Sequence, residues 1–300
     1  MDRLQAMSAF VAVVDSGGFA SAARKLALSP PVVTRAVAEL EERLGLRLLT
    51  RTTRVVRVTE AGARYADDCR RILAEIDEAE TAATGTHAQP RGTLVMTAPV
   101  LFGHMYVTPV LARYLQRYPE VDAQCLFLDR VVNVVEEGID VAVRIAVLPD
   151  SSLQAIRVGQ VRSVVAASPA YLEAHGIPMR PEDLAGHTII SPGNIAQPQQ
   201  DWRFNDGGRL LTQRVTRRMR TTSNDSAISA ALAGLGITRL LSYQLAPHVA
   251  AGTLVPLLQA FESAPLPINV LHHEGRHVTQ KVRSFVDMMV EALRADPALR

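Results

Sequence analysis

The first fifty residues alternate short apolar stripes with polar or glycine-containing breaks, which is typical of several short helices. Apolar side chains recur every three or four positions over 4–14, which predicts a first helix that ends at the glycine pair 17–18. A second short helix is predicted over 19–26. A third helix follows the Ser-Pro-Pro sequence at 29–31, because serine is a good N-cap and proline is tolerated in a first helical turn. A short helix, a tight turn and a capped helix predict a helix-turn-helix at about 19–38.

Two β-prone segments and a long amphipathic helix follow this motif. The segments surround a tip rich in threonine and arginine, which predicts a wing over 48–59 and hence a winged helix-turn-helix domain over 1–59. Apolar positions spaced three and four apart then predict a long helix over 60–87. A helix with one narrow apolar stripe and many charges does not bury itself in one domain, so we expect it to pair with its copy in a second subunit. The seam positions that we assign to dimerisation are Tyr65, Ile72 and Ile76.

The remaining two hundred residues alternate predicted strands and helices, which is typical of an α/β architecture with a mainly parallel sheet. Strands of the first unit are predicted at 91–99, 121–128 and 139–145, with a helix at 131–137. A second α/β unit is predicted over 163–265. The chain then returns to the first sheet through a strand at 267–271 and ends in an amphipathic helix.

Composition narrows the class of protein. The chain has 300 residues, of which 48% are hydrophobic and 21% charged, as expected for soluble globular domains. No apolar run approaches the roughly 20 residues that cross a bilayer, and the N-terminus lacks a signal-peptide pattern. We therefore expect a cytoplasmic protein that has no membrane partner.

The distribution of charge says more than the net charge of +2. Residues 1–57 hold nine basic and five acidic side chains, whereas residues 60–80 hold seven acidic and three basic ones. A basic block beside an acidic helix favours a nucleic-acid-binding module on an acidic support, with ordinary surface charge as the alternative.

Several motifs in this chain resemble those of LysR-type transcriptional regulators. The sequence GFASAARKL at 18–26 resembles the first half of their winged helix, and SPPVVTRAVAELE at 29–41 its second half. The sequence LGLRLLTRTTR at 44–54 is similar to the wing, and VTEAG at 58–62 to the entry into the linker helix. The match runs unbroken over about sixty residues. Further on, GIDVAVR at 138–144 resembles a strand of the family's effector domain.

The resemblance implies a sequence-specific transcriptional regulator that is not an enzyme and uses neither cofactor nor metal. Its partners are double-stranded DNA, a small-molecule effector and further copies of itself, as a homodimer or as a homotetramer that is a dimer of dimers; RNA polymerase is a further expected partner. The effector domain is expected over 91–300, with a periplasmic-binding-protein-like fold of type 2. Lobe 1 comprises 91–162 and 267–300, and lobe 2 comprises 163–266.

In this family the recognition helix enters the major groove of DNA by its N-terminal turn. The residues of this chain at the matching positions are Ser29, Pro30, Pro31, Thr34 and Arg35, and the wing adds Arg51 and Arg54. Thr34 keeps a hydroxyl donor where the family more often has serine, and adds a methyl group that can touch thymine.

Ligands in open α/β sheets bind where strands end and helices begin. On that ground we predict that the effector contacts Thr97, Pro99, Val100, Leu101, Phe102 and Phe127 in the first lobe and Trp202, Ser223 and Asn224 in the second. A helix that begins after Ser223 would offer free amides and a positive dipole end, which favours an anionic effector such as a carboxylate. The alternative is that these residues only cap and pack.

Two other classes of protein, and the cysteines, also bear on the interpretation of this sequence. The sequence HEGRH at 273–277 matches the zinc-protease motif, but a glycine interrupts it and a strand ends just before it, so we interpret it as coincidental. A zinc hydrolase is therefore the competing class, and an exported solute-binding protein is disfavoured by the winged helix. The two cysteines, Cys69 and Cys125, lie too far apart in sequence to indicate a disulfide framework; we expect buried free thiols, with a redox switch as the alternative.

Overall fold

The computed structural model describes residues 2–51, 56–83, 89–130, 132–134, 136–148, 153–273 and 279–300. The chain divides into two compact units, Met1–Gln89 and Pro90–Arg300.

The N-terminal unit is a three-helix core with a small two-stranded sheet and a long helix. Its elements are α1 (Arg3–Ser16), α2 (Phe19–Lys25), α3 (Pro30–Leu44), β1 (Leu49–Arg51), β2 (Val56–Val58) and α4 (Glu60–Ala83). α1 and α3 each end at a glycine with positive φ, Gly17 at 68° and Gly45 at 65°, as their sequences predict. β1 and β2 pair antiparallel and form the wing.

Polar side chains fasten the wing to the helices on either side of it. The Glu41 carboxylate of α3 accepts hydrogen bonds from the backbone N–H of Leu48 at 2.7 Å and of Leu49 at 2.9 Å. The Thr59 hydroxyl donates to the Arg47 carbonyl and accepts from the N–H of Gly62, both at 2.9 Å. The start of α4 is therefore fixed to the base of the wing.

Part of the apolar stripe of α4 packs within its own chain. Cys69 is fully buried in the core of the N-terminal unit, and the Tyr65 ring lies 5.9 Å from that of Phe10. Burial raises the pKa of the Cys69 thiol to about 11, so the thiol is protonated at neutral pH. Arg70 fixes α4 to α1 through an ion pair with Asp15 at 2.6 Å. The N-terminal half of the stripe is therefore buried in its own unit, contrary to the expectation that this helix does not bury itself in one domain.

The C-terminal unit contains two sheets with helices on their faces. Its strands are β3 (Gly92–Ala98), β4 (Val121–Phe127), β5 (Val141–Ile145), β6 (Leu153–Val161), β7 (Ser163–Ala167), β8 (Ile189–Pro192), β9 (Gln199–Asp206), β10 (Arg209–Thr221), β11 (Ile237–Leu241), β12 (Val255–Leu257) and β13 (Leu266–His273). Its α-helices are α5 (Val100–Phe102), α6 (Thr108–Arg117), α7 (Pro169–His175), α8 (Asn224–Leu232), α9 (Ser242–Ala250) and α10 (Gln280–Ala295). A π-helical turn, Gly103–Val107, joins α5 to α6, and short 3₁₀ turns lie at Pro181–Gly186, Gln259–Phe261 and Pro297–Leu299.

The two sheets correspond to two lobes. The five-stranded sheet has the order β4-β3-β5-β13-β6, and the six-stranded sheet has the order β12-β7-β11-β8-β10-β9. β13 carries the chain back to the first sheet, between β5 and β6, as the sequence predicts. Apolar side chains of both sheets belong to one buried core, which includes Met96 and Phe285 of the first lobe and Ala166 and Tyr243 of the second.

Two details of the C-terminal unit differ from the prediction. The sheets are mixed rather than mainly parallel: β13 runs antiparallel to both neighbours, and β9 and β10 form an antiparallel hairpin. The Asp-Gly-Gly sequence at 206–208, a hairpin signal, accounts for the latter. The helix predicted at 131–137 is wrong; the described residues there form turns, with Val132 and Val134 both buried and Gly138 at a φ of 63°.

No single helix in the described ranges is long and apolar enough to cross a membrane. Only Arg3–Ser16 taken together with Phe19–Lys25 meets the length and composition for a span, and these two helices are bent by 118°.

Candidate functional site

The first turn of α3 projects from the N-terminal unit as a polar, exposed surface. Ser29, Pro30, Pro31 and Arg35 are exposed, and Thr34 is half-buried. The other face of the helix, which contains Val33, is buried in the core that α3 shares with α1 and α2. Ser29 is the N-cap, but its hydroxyl makes no capping hydrogen bond. Its carbonyl accepts hydrogen bonds from the N–H groups of Val32 and Val33. The structure therefore brings the five predicted helix residues together on one exposed surface.

The two wing arginines are in a different position. Arg54 lies outside the described residues, and for Arg51 the structure describes the backbone only. Sequence reasoning also missed two exposed apolar side chains beside the first turn of α3, Leu28 at 42% and Val32 at 36% exposure. Apolar side chains in such a position can contact thymine methyl groups. The sequence signal was present, because Val32 lies off the buried stripe that contains Val33 and Val37.

The C-terminal unit contains a cleft of about 1090 Å³ between its two lobes. Pro99, Asp129 and Ile145 line it from the first lobe, and residues of β9, α8 and β11, including Trp202, line it from the second. Volumes up to about 1,000 Å³ are usual for small-molecule sites, so the cleft is large enough for a metabolite.

Three of the nine predicted effector residues line this cleft: Pro99, Trp202 and Asn224. The other six do not. Thr97 is fully buried and its hydroxyl donates to the Leu126 carbonyl at 2.7 Å, while the Ser223 hydroxyl caps α8 by accepting from the N–H of Ser226.

The aromatic and aliphatic members of the six are used in packing. Phe102 is buried, with its ring 4.8 Å from that of Tyr106 and 5.3 Å from that of Tyr243, and Leu101 belongs to the same core. Phe127 packs so closely on Gly103 that a Cβ atom there would lie 2.5 Å from its ring. Val100 is 39% exposed without lining the cleft, and its backbone N–H donates to Asp129, which does line it.

That N–H belongs to an inter-lobe contact centred on Asp129. One carboxylate oxygen of Asp129 accepts from the N–H of Val100 at 3.0 Å, and the other accepts from the side-chain amide of Asn224, in the second lobe, at 3.1 Å. The start of α8 therefore already has a carboxylate beside it, besides Asp225 in its own first turn. Asp129 follows the end of β4 closely, so its place at the strand end was the signal that could have identified it.

Arginines line the cleft from both lobes: Arg130, paired with Glu137 at 3.1 Å, from the first, and Arg203 and Arg239 from the second. Arg239 of β11 donates to the Arg203 carbonyl at 2.6 Å and to the Ser263 hydroxyl at 3.2 Å. Its guanidinium lies 4.8 Å from the ring centre of Phe204 and 5.8 Å from that of Trp202, which is 3% exposed and thus mainly a packing residue. Burial lowers the pKa of Arg239, and the charge of Glu262 opposes this shift. Nothing local in the sequence identifies Arg239, because only the fold brings β11 to β9.

No metal centre accompanies these features in the described ranges, where no group of three or more His, Cys, Asp and Glu side chains is close enough to hold an ion. Of the zinc-protease-like sequence, only His273 is described, at the end of β13; residues 274–278 lie outside the described part.

Comparison with known proteins agrees with both surfaces. The family model described as a bacterial regulatory helix-turn-helix protein of the lysR family matches residues 4–63. The family model described as the LysR substrate binding domain matches residues 87–294. The chain is 36% identical to an HTH-type transcriptional regulator of Xanthomonas campestris, over 96% of this chain and 84% of the relative. It is 34% identical to an HTH-type transcriptional repressor of Pseudomonas aeruginosa, over 100% and 95% of the two chains.

Solved structures give the same result. The structure of CrgA, a LysR-type transcriptional regulator from Neisseria meningitidis, is similar with a TM-score of 0.62 and 33% identity, over 96% of this chain and 98% of CrgA. The full-length structure of the Vibrio cholerae virulence activator AphB is similar with a TM-score of 0.61 and 27% identity, over 97% and 99% of the two chains. The chain belongs to the LysR family, whose members named here are HTH-type transcriptional regulators, and it combines their DNA-binding and effector-binding domains.

Proposed function

We propose that the exposed first turn of α3 reads an operator in the major groove and that a small anionic molecule bound between the lobes regulates this binding. The observation that carries the first part is the exposure of Ser29, Pro30, Pro31 and Arg35 on a helix whose other face is fixed in the core. Contacts from the wing residues Arg51 and Arg54 to phosphates remain part of the proposal.

An anionic effector is supported by a different part of the cleft from the one that the sequence indicated. The start of α8 already faces the Asp129 carboxylate, so its dipole is partly satisfied. Arg239 and the exposed Arg203 supply positive charge on β11 and β9, and among the described residues the buried Nε of Arg239 has no hydrogen-bond partner. We therefore propose that a carboxylate or similar group of the effector is oriented toward β9 and β11.

A homodimer through α4, or a tetramer of two such dimers, completes the proposal. Ile72 and Ile76 are half-buried on α4. Ile72, like Tyr65, also packs against the core of its own chain. Pairing of two α4 helices would cover the two isoleucines and place two recognition helices on successive half-sites of double-stranded DNA. RNA polymerase is the partner on which such a regulator would act.

The first prediction concerns DNA binding by the full chain. Fluorescence anisotropy would compare the DNA upstream of the protein's own gene with a scrambled duplex at several salt concentrations. We expect specific binding to weaken by about 1–3 kcal/mol in Arg35→Ala, because a base or phosphate contact in the first turn of α3 is lost.

Arg43→Ala is the matched control, since Arg43 is an equally exposed arginine in the last turn of the same helix. We expect it to bind nearly as the unaltered protein does. Absence of any DNA affinity at low salt, or equal losses in both variants, would refute the assignment of the first turn.

A further inference from the structure

A second recess lies beside the cleft, where β9, β10 and the loop after β8 meet. Its volume is about 470 Å³, and ligand sites commonly span about 300–1,000 Å³. Every side chain that lines it is polar: four carboxamides, the ion pair of Asp201 with Arg214, and Arg217. The carboxamides are those of Asn194, Gln197, Gln199 and Gln200. Such a lining suits a small polar ligand rather than an apolar one.

Arg217 is the unusual member of this lining. It is only 5% exposed, and no carboxylate pairs with it among the described residues, whereas Asp201 neutralises Arg214 at 3.0 Å. Within the described part of the chain, its buried Nε has no hydrogen-bond partner. Burial and the nearby charge of Arg220 both lower the pKa of Arg217. Burying a cation without a counter-charge costs free energy, so the presence of Arg217 at this position calls for an explanation.

A structural role accounts for only part of this arrangement. One terminal nitrogen of Arg217, Nη2, donates to the carbonyls of Asn194 and Gln197, which fixes the loop after β8. A neutral donor would make the same two hydrogen bonds without the cost of a buried charge. The loop clamp therefore explains the hydrogen bonds of Arg217 but not its charge.

We propose that this recess is a second binding site, which takes a small ligand with an anionic oxygen group, a carboxylate or a phosphate. Arg217 supplies the compensating charge and the carboxamides donate hydrogen bonds. Asn194 and Gln200 line both the recess and the inter-lobe cleft. An anion in the recess therefore orders a wall of the effector cleft. The site goes beyond the proposed effector function, because it exists whether or not the cleft binds an anion.

The test is calorimetric titration of the full chain, without DNA, with sodium phosphate and separately with sodium acetate. Sodium chloride at equal ionic strength serves as the reference. We expect saturable binding of at least one of the two oxyanions. The oxyanion that binds with higher affinity shows whether the site prefers a phosphate or a carboxylate group. Arg217→Lys keeps the charge but loses the planar fork, so we expect it to weaken that binding by about tenfold.

Three further variants make the result specific. Arg218→Lys changes the exposed neighbouring arginine on the same strand and is expected to bind the oxyanion as the unaltered protein does. Arg203→Ala changes the proposed anion site of the cleft, which the recess does not share, and is expected to remove only oxyanion that binds in the cleft. Gln199→Ala leaves the loop clamp intact and is expected to weaken binding even if Arg217→Lys does not fold. The proposal is overturned if neither oxyanion binds more than chloride, or if Arg203→Ala abolishes binding while Arg217→Lys and Gln199→Ala leave it unchanged. The DNA-binding experiment is independent of either result.

Discussion

At the scale of single residues, the sequence motif that joins the wing to α4 has a steric cause that sequence reasoning did not supply. The resemblance identifies the VTEAG sequence at 58–62 but does not explain why its last position is glycine. A Cβ atom at Gly62 would lie 2.0 Å from the carbonyl oxygen of Leu48. The backbone of α4 passes the base of the wing at this point, where only glycine fits. Contacts between distant backbones of this kind have no local sequence pattern.

We therefore expect Gly62→Ala to destabilise the N-terminal unit. The added methyl group forces α4 away from Leu48, which weakens the hydrogen bond that the Thr59 N–H donates to the Leu48 carbonyl at 3.0 Å. Overpacking of this kind costs about 1–3 kcal/mol. Thermal unfolding followed by circular dichroism measures the loss.

Gly18→Ala is the control in the same unit, because a Cβ atom there would meet only the Ser21 hydroxyl at an ordinary 3.6 Å. We expect it to unfold close to the unaltered protein. Equal losses from the two substitutions would contradict the steric explanation.

At the scale of elements, the helix-turn-helix was predictable and the residues that line the inter-lobe cleft mostly were not. The helices of the N-terminal unit follow from local signals, such as the glycines that end α1 and α3. The turn between α2 and α3 contains an unexpected feature, because Ala27 has a φ of 53°. Whether a residue lines the cleft depends instead on the direction in which its side chain points at the end of a strand. For that reason Thr97 and Phe102 turned inward although the segment itself borders the cleft.

We expect Ala27→Gly to stabilise the N-terminal unit. The left-handed conformation costs a residue with a Cβ atom about 1–2 kcal/mol, and the extra freedom of glycine in the unfolded chain offsets about half of this gain. A net gain of about 0.5–1 kcal/mol and a rise in Tm of a few degrees should follow.

Ala20→Gly provides the opposite sign in the same unit, since Ala20 is exposed within α2, where glycine lowers helix stability by about 1 kcal/mol. If Ala27→Gly lowers the Tm as Ala20→Gly does, the positive φ at Ala27 carries no strain.

At the scale of the whole molecule, the order of the two lobes followed from alternating strands and helices, but strand direction did not. β13 returns to the first sheet after the second lobe is complete, and its antiparallel direction depends on contacts far apart in sequence. Oligomerisation is also a property of this scale. The apolar stripe of α4 predicted it, and the structure divides that stripe between the chain's own core, at Cys69, and half-buried positions further along, at Ile76.

Ile76→Glu tests the proposed α4 pairing. A carboxylate loses its hydration in an apolar seam, and a symmetric dimer contains two of them, one from each subunit. We therefore expect dimerisation to weaken by at least about tenfold. Sedimentation velocity at micromolar concentration measures the change.

Ala63→Glu adds the same charge at an exposed position of α4 that is off the seam, and we expect it to leave the dimer intact. A strictly monomeric unaltered protein at micromolar concentration would refute pairing through α4 altogether.

The inter-lobe contact of Asp129 also bears on dose and response. Its carboxylate is tethered beside the Val100 N–H and the Asn224 amide, so it occupies those donors at the effective concentration of an intramolecular group. Under the proposed function, an anionic effector oriented toward Arg239 and Arg203 leaves these donors to Asp129. A metabolite that bound at the α8 end instead would have to displace this resident carboxylate, so half-maximal occupancy there would require a higher concentration. One aspartate at the end of a strand would thus set a different dose for each end of the cleft and favour the arginine end.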